Sequence, residues 1–374
     1  MEGLVAMATG ISRQTLERYY RGRRVLVTGS SGFKGSWLCK MLLSLGAEVY
    51  GYSLEPPTSP SLWDIAGLNN DVHQTVADIR DFGALRQTFE SVRPQAVLHL
   101  AAQPLVIDSY SDPRYTYETN VMGTVNVLEC IRECGETTSF LNVTTDKVYE
   151  NLERPNYGYR EDDKLDGFDP YSNSKSCSEL VTHSYAKSFF SADANCSSAG
   201  SCAISTARAG NVIGGGDFSD NRIVPDCVRA VKSGTPIVIR NPNSVRPYQH
   251  VLEPLVAYLG VVALQEDCPE IAGWYNIGPN DGDCVTTGEL VRLFATSWGD
   301  GFSFEEGHVD GPHEANFLKL DNSKARSVLG WRPVWGVSEA IERTVEWTRA
   351  WIVGGDSSAS DCMDGQINDY LSAN

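Results

Sequence analysis

The sequence predicts an α/β protein: a Rossmann-type doubly wound parallel sheet with a smaller C-terminal substrate-binding domain. Three observations carry this. The first two-thirds of the chain repeatedly sets a short β-branched or apolar run before a longer amphipathic stretch, the pattern of a parallel sheet covered on both faces. A glycine-rich turn, "GSSGFKG", follows the first apolar run directly. Beyond Arg208 the pattern gives way to short strands and turns rich in Pro and Gly, as in a cap that closes over a sheet.

In chain order, "RVLVTG" (24–29), "EVYGYS" (48–53), "QAVLHLAA" (95–102), "SFLNVTT" (139–145) and "CAISTARAG" (202–210) read as buried strands, with a further strand just before Asp78. Stretches 34–46, 81–92, 115–134 and 171–190 carry apolar residues at helical spacing. The Ser-, Ala- and Gly-rich segment 189–203 reads as a surface loop, and a late helix is expected around 323–330. These signals place a dinucleotide-binding domain at 22–207, with a returning segment near 248–278, and a substrate-binding domain at 208–247 and 279–351. The polar, acidic end, 352–374, reads as a loose tail.

Composition narrows the function. With 374 residues, 41% of them hydrophobic and 21% charged, the chain can bury a large core. A formal charge of −17 argues against a non-specific grip on nucleic acid or an anionic membrane. An anionic ligand must therefore be held by locally placed Arg, Lys or backbone N–H groups. Ten cysteines without CxxC pairs suggest neither a zinc site nor a disulfide framework, and free thiols fit a reducing, cytoplasmic compartment. No secretory signal and no membrane span is recognisable.

The turn holds Gly29, Ser31, Gly32, Phe33, Lys34 and Gly35 between a strand and a helix. Small residues there let a backbone approach a pyrophosphate while the helix N-terminus faces its charge. The acidic residue expected at the end of the second strand is replaced by Ser53, with Glu55 the nearest carboxylate. No Arg or Lys lies between Tyr50 and Pro60 to take a 2′-phosphate, which favours NAD over NADP, although Lys34 and Arg80 are nearby cations. Asp78 and Ile79 are placed to meet the adenine.

Tyr171 and Lys175, in "YSNSK", share one helix face, and a lysine cation beside a phenol favours the deprotonated form of a base. "VTTDKVYEN" sets Thr145, Asp146 and Lys147 at the mouth of a buried strand, a triplet that taken alone is ordinary turn chemistry.

With the glycine loop, "HLAAQP" (99–104), "TNVMGT" (119–124), the strand-end threonine and the Tyr/Lys pair in order, the chain resembles the extended short-chain dehydrogenase/reductase family. "TGSSGFKGSWL", "DPRYTYETNVMGTVN", "TTDKVYEN", "ARAGNVIGGGDF" and "RPYQHVLEPL" are similar to its nucleotide-sugar dehydratase branch, over roughly residues 24 to 350. The resemblance implies NAD as cofactor, CDP-glucose as substrate and no metal. It implies that Tyr171, assisted by Lys175 and Thr145, takes the C4 hydroxyl proton during oxidation. Asp146 then protonates the departing C6 hydroxyl and Lys147 removes the C5 proton. Many relatives carry Glu where Lys147 stands; a lysine base must be neutral, hence have a depressed pKa. Ala101, Ala102 and Gln103 are carried over as cofactor contacts, Asn120 as the residue supporting the helix and a relay water, and Asn211, Arg222, Arg246 and His250 as substrate contacts. The resemblance further implies a homodimer built on helices 115–134 and 171–190, and a role in deoxyhexose synthesis for cell-surface polysaccharide such as O-antigen. Two readings compete: a nucleotide-sugar epimerase or decarboxylase without elimination, and a non-catalytic NAD-binding regulator.

Overall fold

The computed structural model describes residues 10–154, 157–191, 201–239, 241–307 and 317–374. Seven strands form the central sheet: β1 (Arg24–Thr28), β2 (Glu48–Ser53), β3 (His73–Val76), β4 (Ala96–His99), β5 (Ser139–Val143), β6 (Ala203–Ala209) and β7 (Trp274–Ile277). Their order is β7-β6-β5-β4-β1-β2-β3, and every neighbouring pair is parallel. Val25, Leu26 and Val27 in β1 and Ala96, Val97 and Leu98 in β4 are all buried, as a sheet covered on both faces requires. The strand order reverses between β1 and β4, and the crevice beyond their carboxyl ends is where sheets of this kind take ligands.

The principal helices are α1 (Arg13–Tyr20), α2 (Phe33–Ser44), α3 (Phe82–Val92), α4 (Gly123–Cys134), α5 (Pro170–Tyr185), α6 (Leu252–Asp267) and α7 (Val337–Ala373). Their starts are written locally. The Asp81 side chain accepts from Ala84 N to open α3, and Asp169 accepts from Ser172 N to open α5, with Pro170 in its first turn. The expected helix 115–134 is a helical path in three parts: Pro113–Tyr117, a π-helical turn Glu118–Met122, and α4. Leu252 to Gln265 in α6 are buried without exception, so this helix lies inside the molecule, against β5 and β6. α1 packs on α6, and the Tyr20 hydroxyl donates to Leu259 O at 2.9 Å. A second cluster, with Val224, Ile237, Leu290, Phe294 and Ile341 at its centre, forms the core of the cap.

The C-terminal stretch corrects the sequence expectation. Residues 352–374 are not a loose tail but the last turns of α7, bent at Gly355, where φ is 73°. Ala359, Met363, Ile367 and Tyr370 are buried in the main core. Their spacing follows the helical period, a signal that the surrounding polar residues outweighed when composition alone was read. Of the Ser-rich segment 189–203, residues 192–200 lie outside the described residues.

Candidate active site

The glycine turn forms a cradle that side chains would fill. A Cβ on Gly35 would lie 2.1 Å from Gly29 O, and one on Gly29, at φ 72°, would lie 2.7 Å from Ala101 N. A Cβ on Gly32 would approach only Gly29 O, at 3.5 Å, leaving the N-terminus of α2 open to a close ligand. These glycines fit a dinucleotide whose pyrophosphate sits against backbone N–H groups.

At the end of β2, Ser53 lies in a hydroxyl–amide cluster instead of presenting a carboxylate. Its Oγ is 2.9 Å from Ser31 Oγ and accepts from Gln74 Nε2 at 2.7 Å. Asp78 pairs with Arg80 at 2.7 Å, and Arg80 also bonds Glu118 at 3.2 Å and stacks on Tyr115. With its guanidinium engaged by two carboxylates, Arg80 is poorly placed to recognise a 2′-phosphate, which favours NAD over NADP. Ile79 is buried against Gly123. Beyond β4, Gln103 N donates to Asn120 Oδ1 at 2.8 Å, and Asn120 Nδ2 donates to Ser174 Oγ at 2.8 Å. The π-helical turn thus ties the loop of Ala101, Ala102 and Gln103 to α5.

The triplet and the Tyr/Lys pair meet beyond β5. Thr145 caps a short 3₁₀ turn, Asp146–Val148, accepting from Lys147 N at 3.3 Å and donating to Asp146 Oδ1 at 3.0 Å. It also acts on the Tyr171 phenol, drawing that group's pKa down. Lys175, one turn along α5, donates to Val143 O at 3.1 Å.

Burial dominates the titration of these groups. It raises the Asp146 carboxyl above the usual range, with Lys147, Thr145, Arg246 and Lys34 pulling the other way. It lowers Lys34 to about 8, helped by Arg222, and Lys175 to about 8, helped by Lys34. It pushes Tyr171 up to about 12 against the pull of Thr145. In the protein alone, then, burial outweighs the phenol-acidifying effect expected of Lys175. Five cations, Lys34, Lys147, Lys175, Arg222 and Arg246, act on this small region within a strongly acidic chain. Such a basin suits an anionic ligand.

Not every expected residue converges here. Arg246 is buried beside Asp146, and Arg222 acts on Tyr171 and Lys34 while paired with Asp217 at 3.1 Å. Asn211 is exposed, and its carbonyl accepts from Gln249 N. His250 has no exposed surface: it stands between Trp37 and Trp335, its Nδ1 accepts from Leu252 N at 3.3 Å, and burial lowers its pKa to about 3. It is a packing residue at the start of α6 in this structure, not a wall of the basin. Asp217, Glu179 and Arg208 were missed. Glu179 continues the four-residue spacing of Tyr171 and Lys175, the signal that could have found it.

The nucleotide cradle at the strand-order reversal and the Tyr/Lys pair beside β5 define a short-chain dehydrogenase/reductase-type Rossmann protein. Comparison with known proteins narrows the class. The model of the GDP-mannose 4,6 dehydratase family matches residues 26–269, and the chain belongs to that family. It is 46% identical to a CDP-glucose 4,6-dehydratase of Salmonella typhimurium, over 96% of this chain and 98% of the relative. A CDP-paratose 2-epimerase of Salmonella typhi is 26% identical, over 87% of this chain and 99% of the relative. Among solved structures, a Thermus thermophilus UDP-glucose 4-epimerase in complex with NAD matches with a TM-score of 0.73 at 26% identity, covering 87% of this chain and 99% of that one. A Bacillus anthracis dTDP-glucose 4,6-dehydratase in complex with NAD matches with a TM-score of 0.70 at 22% identity, covering 88% and 97%, and supports the fold.

Proposed function

We propose that the chain catalyses the NAD-dependent dehydration of CDP-glucose to CDP-4-keto-6-deoxyglucose. The carrying observation is that the Asp146–Lys147 segment lies beside Tyr171 on the helix of Lys175: Thr145 donates to Asp146, and both Thr145 and Asp146 act on the Tyr171 phenol. The cofactor is held by Gly29, Gly32 and Gly35, by the Ser31–Ser53 cluster, and by the loop of Ala101, Ala102 and Gln103. When bound, NAD supplies a positively charged ring able to take a hydride from carbon and return it.

Tyr171, assisted by Lys175 and Thr145, removes the C4 hydroxyl proton, with Thr145 and Arg222 drawing the phenol's pKa down against the burial that raises it. The 4-ketone makes the C5 proton acidic. Lys147, in its neutral form, takes that proton, while Asp146 donates one to the C6 hydroxyl, which leaves as water; the hydride taken from C4 then returns to C6 as Lys147 gives its proton back to C5. The raised pKa of Asp146 suits a donor, because a buried carboxyl keeps its proton nearer neutral pH. Arg222 and Arg246 neutralise the nucleotide diphosphate. In domain terms, 22–207 with the segment near 248–278 holds NAD, and 208–247 with 279–351 holds the sugar nucleotide.

A homodimer built on the helical faces around 115–134 and 171–190 fits the exposure of Met122 and Leu180, with Ile107 and Tyr110 on the short helix Val106–Ser111. Among the described residues no helix is long and apolar enough to cross a membrane. A cytoplasmic role early in deoxyhexose synthesis for surface polysaccharide, such as O-antigen, follows from the family resemblance.

Incubation with CDP-glucose, with and without added NAD, tests the reading. Loss of one water from CDP-glucose, and not from UDP-, GDP- or dTDP-glucose, is the expected outcome. Turnover with unchanged sugar mass would point to epimerisation, and NAD binding without turnover of any of these sugars would point to a regulator.

A further inference from the structure

A buried charge pair lies one turn beyond Lys175 and outside the chemistry just described. Glu179 on α5 and Arg208 on β6 are both fully buried. They meet side by side: Arg208 Nε lies 3.1 Å from Glu179 Oε1, and Nη2 lies 3.1 Å from Oε2. Around the pair, Thr144 Oγ1 donates to Glu179 Oε1 at 2.5 Å, Thr206 Oγ1 donates to Oε2 at 2.7 Å, and His183 Nε2 is 3.2 Å from Oε2. Arg208 Nη1 donates to the Tyr149 hydroxyl at 2.7 Å and to Glu161 O at 3.0 Å. The Tyr149 hydroxyl in turn donates to Asn276 Oδ1 on β7 at 2.7 Å. Burial alone would push the Glu179 carboxyl up, but the Arg208 guanidinium and the donors around it hold it below the usual range. A bidentate arginine clamp of this kind fixes distance and angle together.

The contacts fall on both sides of one short segment. Thr144 immediately precedes Thr145, and Tyr149 stands two residues after Lys147, so the pair grips the acid–base triplet at each end. Just before the first grip Lys175 Nζ donates to Val143 O at 3.1 Å, and between the two Ser176 Oγ donates to Val148 O at 2.7 Å. The helix that carries Tyr171 therefore also holds the segment that carries Asp146. Resting on the dehydratase reading, we propose that Glu179 and Arg208 are positioning residues: acting through Thr144 and Tyr149, their ion pair sets Asp146 and Lys147 at working distance from the sugar that Tyr171 oxidises. Because the pair is fully buried and its grip bears on the segment of Asp146 and Lys147, loosening it slows elimination more than oxidation.

The test uses the full chain with Thr144→Val, which removes a donor to Glu179, Thr144→Ser, which keeps it, and Tyr149→Phe, which removes an acceptor from Arg208; all three leave the buried charges matched. Steady-state rates are measured with CDP-glucose, and isotope effects with CDP-glucose deuterated at C4 or at C5. Thr144→Val and Tyr149→Phe are expected to lower kcat roughly tenfold, since a small misplacement of reacting groups is costly. KM is expected to stay within about twofold. The C5 isotope effect should rise and the C4 effect fall as elimination becomes limiting, and Thr144→Ser, which keeps the hydroxyl, should restore the wild-type pattern. A fall in kcat with both isotope effects unmoved, or no fall at all, would overturn the proposal. A crystal structure of Thr144→Val gives a measurement independent of turnover: an Asp146 carboxylate still in its original place would overturn the proposal even where the wild type fails to dehydrate CDP-glucose. Failure of the wild type with a displaced Asp146 would instead refute the dehydratase reading and leave the positioning role standing.

Discussion

Replacing Glu253 with Gln asks whether a buried carboxyl at the start of α6 governs how the C-terminal helix is held. Glu253 has no exposed surface, and its carboxyl accepts from Val334 N at 3.0 Å, Trp335 N at 2.6 Å and the Tyr370 hydroxyl at 2.5 Å. Burial pushes its pKa from 4.5 up to about 7, against the pull of the hydrogen bonds from Tyr370, Trp335 and Val334, with Asp283 adding a smaller upward push. In the unfolded chain the group ionises near 4.5, so between the two values the native state binds more protons and stability falls as pH rises. The gap corresponds to roughly 3 kcal/mol once the pH exceeds both values. A Gln side chain imitates the neutral acid, its oxygen accepting from the two backbone N–H groups and its amide donating to Tyr370, but it does not titrate. Thermal or urea unfolding at about pH 5 and about pH 8 should show wild type losing about 2.5 kcal/mol more than Glu253→Gln, part of the gap lying below pH 5, with the variant the more stable protein at the higher pH. Parallel profiles for the two proteins would refute the reasoning, because they would mean that the carboxyl is ionised at no cost in the folded state.

Asp146→Asn removes the group that protonates the leaving hydroxyl and is expected to lower kcat by about 10²–10⁴-fold with little change in KM; a rate near wild type would show that water or another side chain supplies the proton. Lys175, which burial lowers to about 8, loses its charge above that value, so kcat should decline on the alkaline side, and a profile that stays level to about pH 10 would count against its role. Gly215→Ala would place a Cβ 2.1 Å from Trp347 Cγ, an overpacking expected to cost about 1–3 kcal/mol and to appear as a lower melting temperature. Gly29→Ala combines a left-handed φ of 72° with a close approach to Ala101 N, and should weaken NAD binding, measured by titration, as well as stability.

Much of the fold was legible because its signals are local. Strands β1, β2, β4, β5 and β6 are runs of apolar residues bounded by turns, and the glycine turn declares where the first crossover begins. The Tyr171–Lys175 spacing and the Thr145–Asp146–Lys147 run needed only one helix and one strand end, and the structure brings them together. The sequence by itself thus determined six of the seven strands, the glycine turn and the chemical groups of the candidate site, whereas the strand Trp274–Ile277 was not read from it. Contacts between distant segments were decided only by tertiary structure. His250 is removed from the basin by Trp37 and Trp335, residues far from it in the chain. The polar 352–374 segment becomes an ordered helix because Tyr370 finds Glu253 and because Met363 and Ile367 find the core. Glu179 and Arg208 look like ordinary charged residues in sequence, and only the convergence of α5, β5 and β6 makes them a buried pair. The physical reason is the same in each case: a local pattern fixes backbone conformation, whereas burial, and with it the strength and titration of a charge, depends on which distant surfaces exclude water from it.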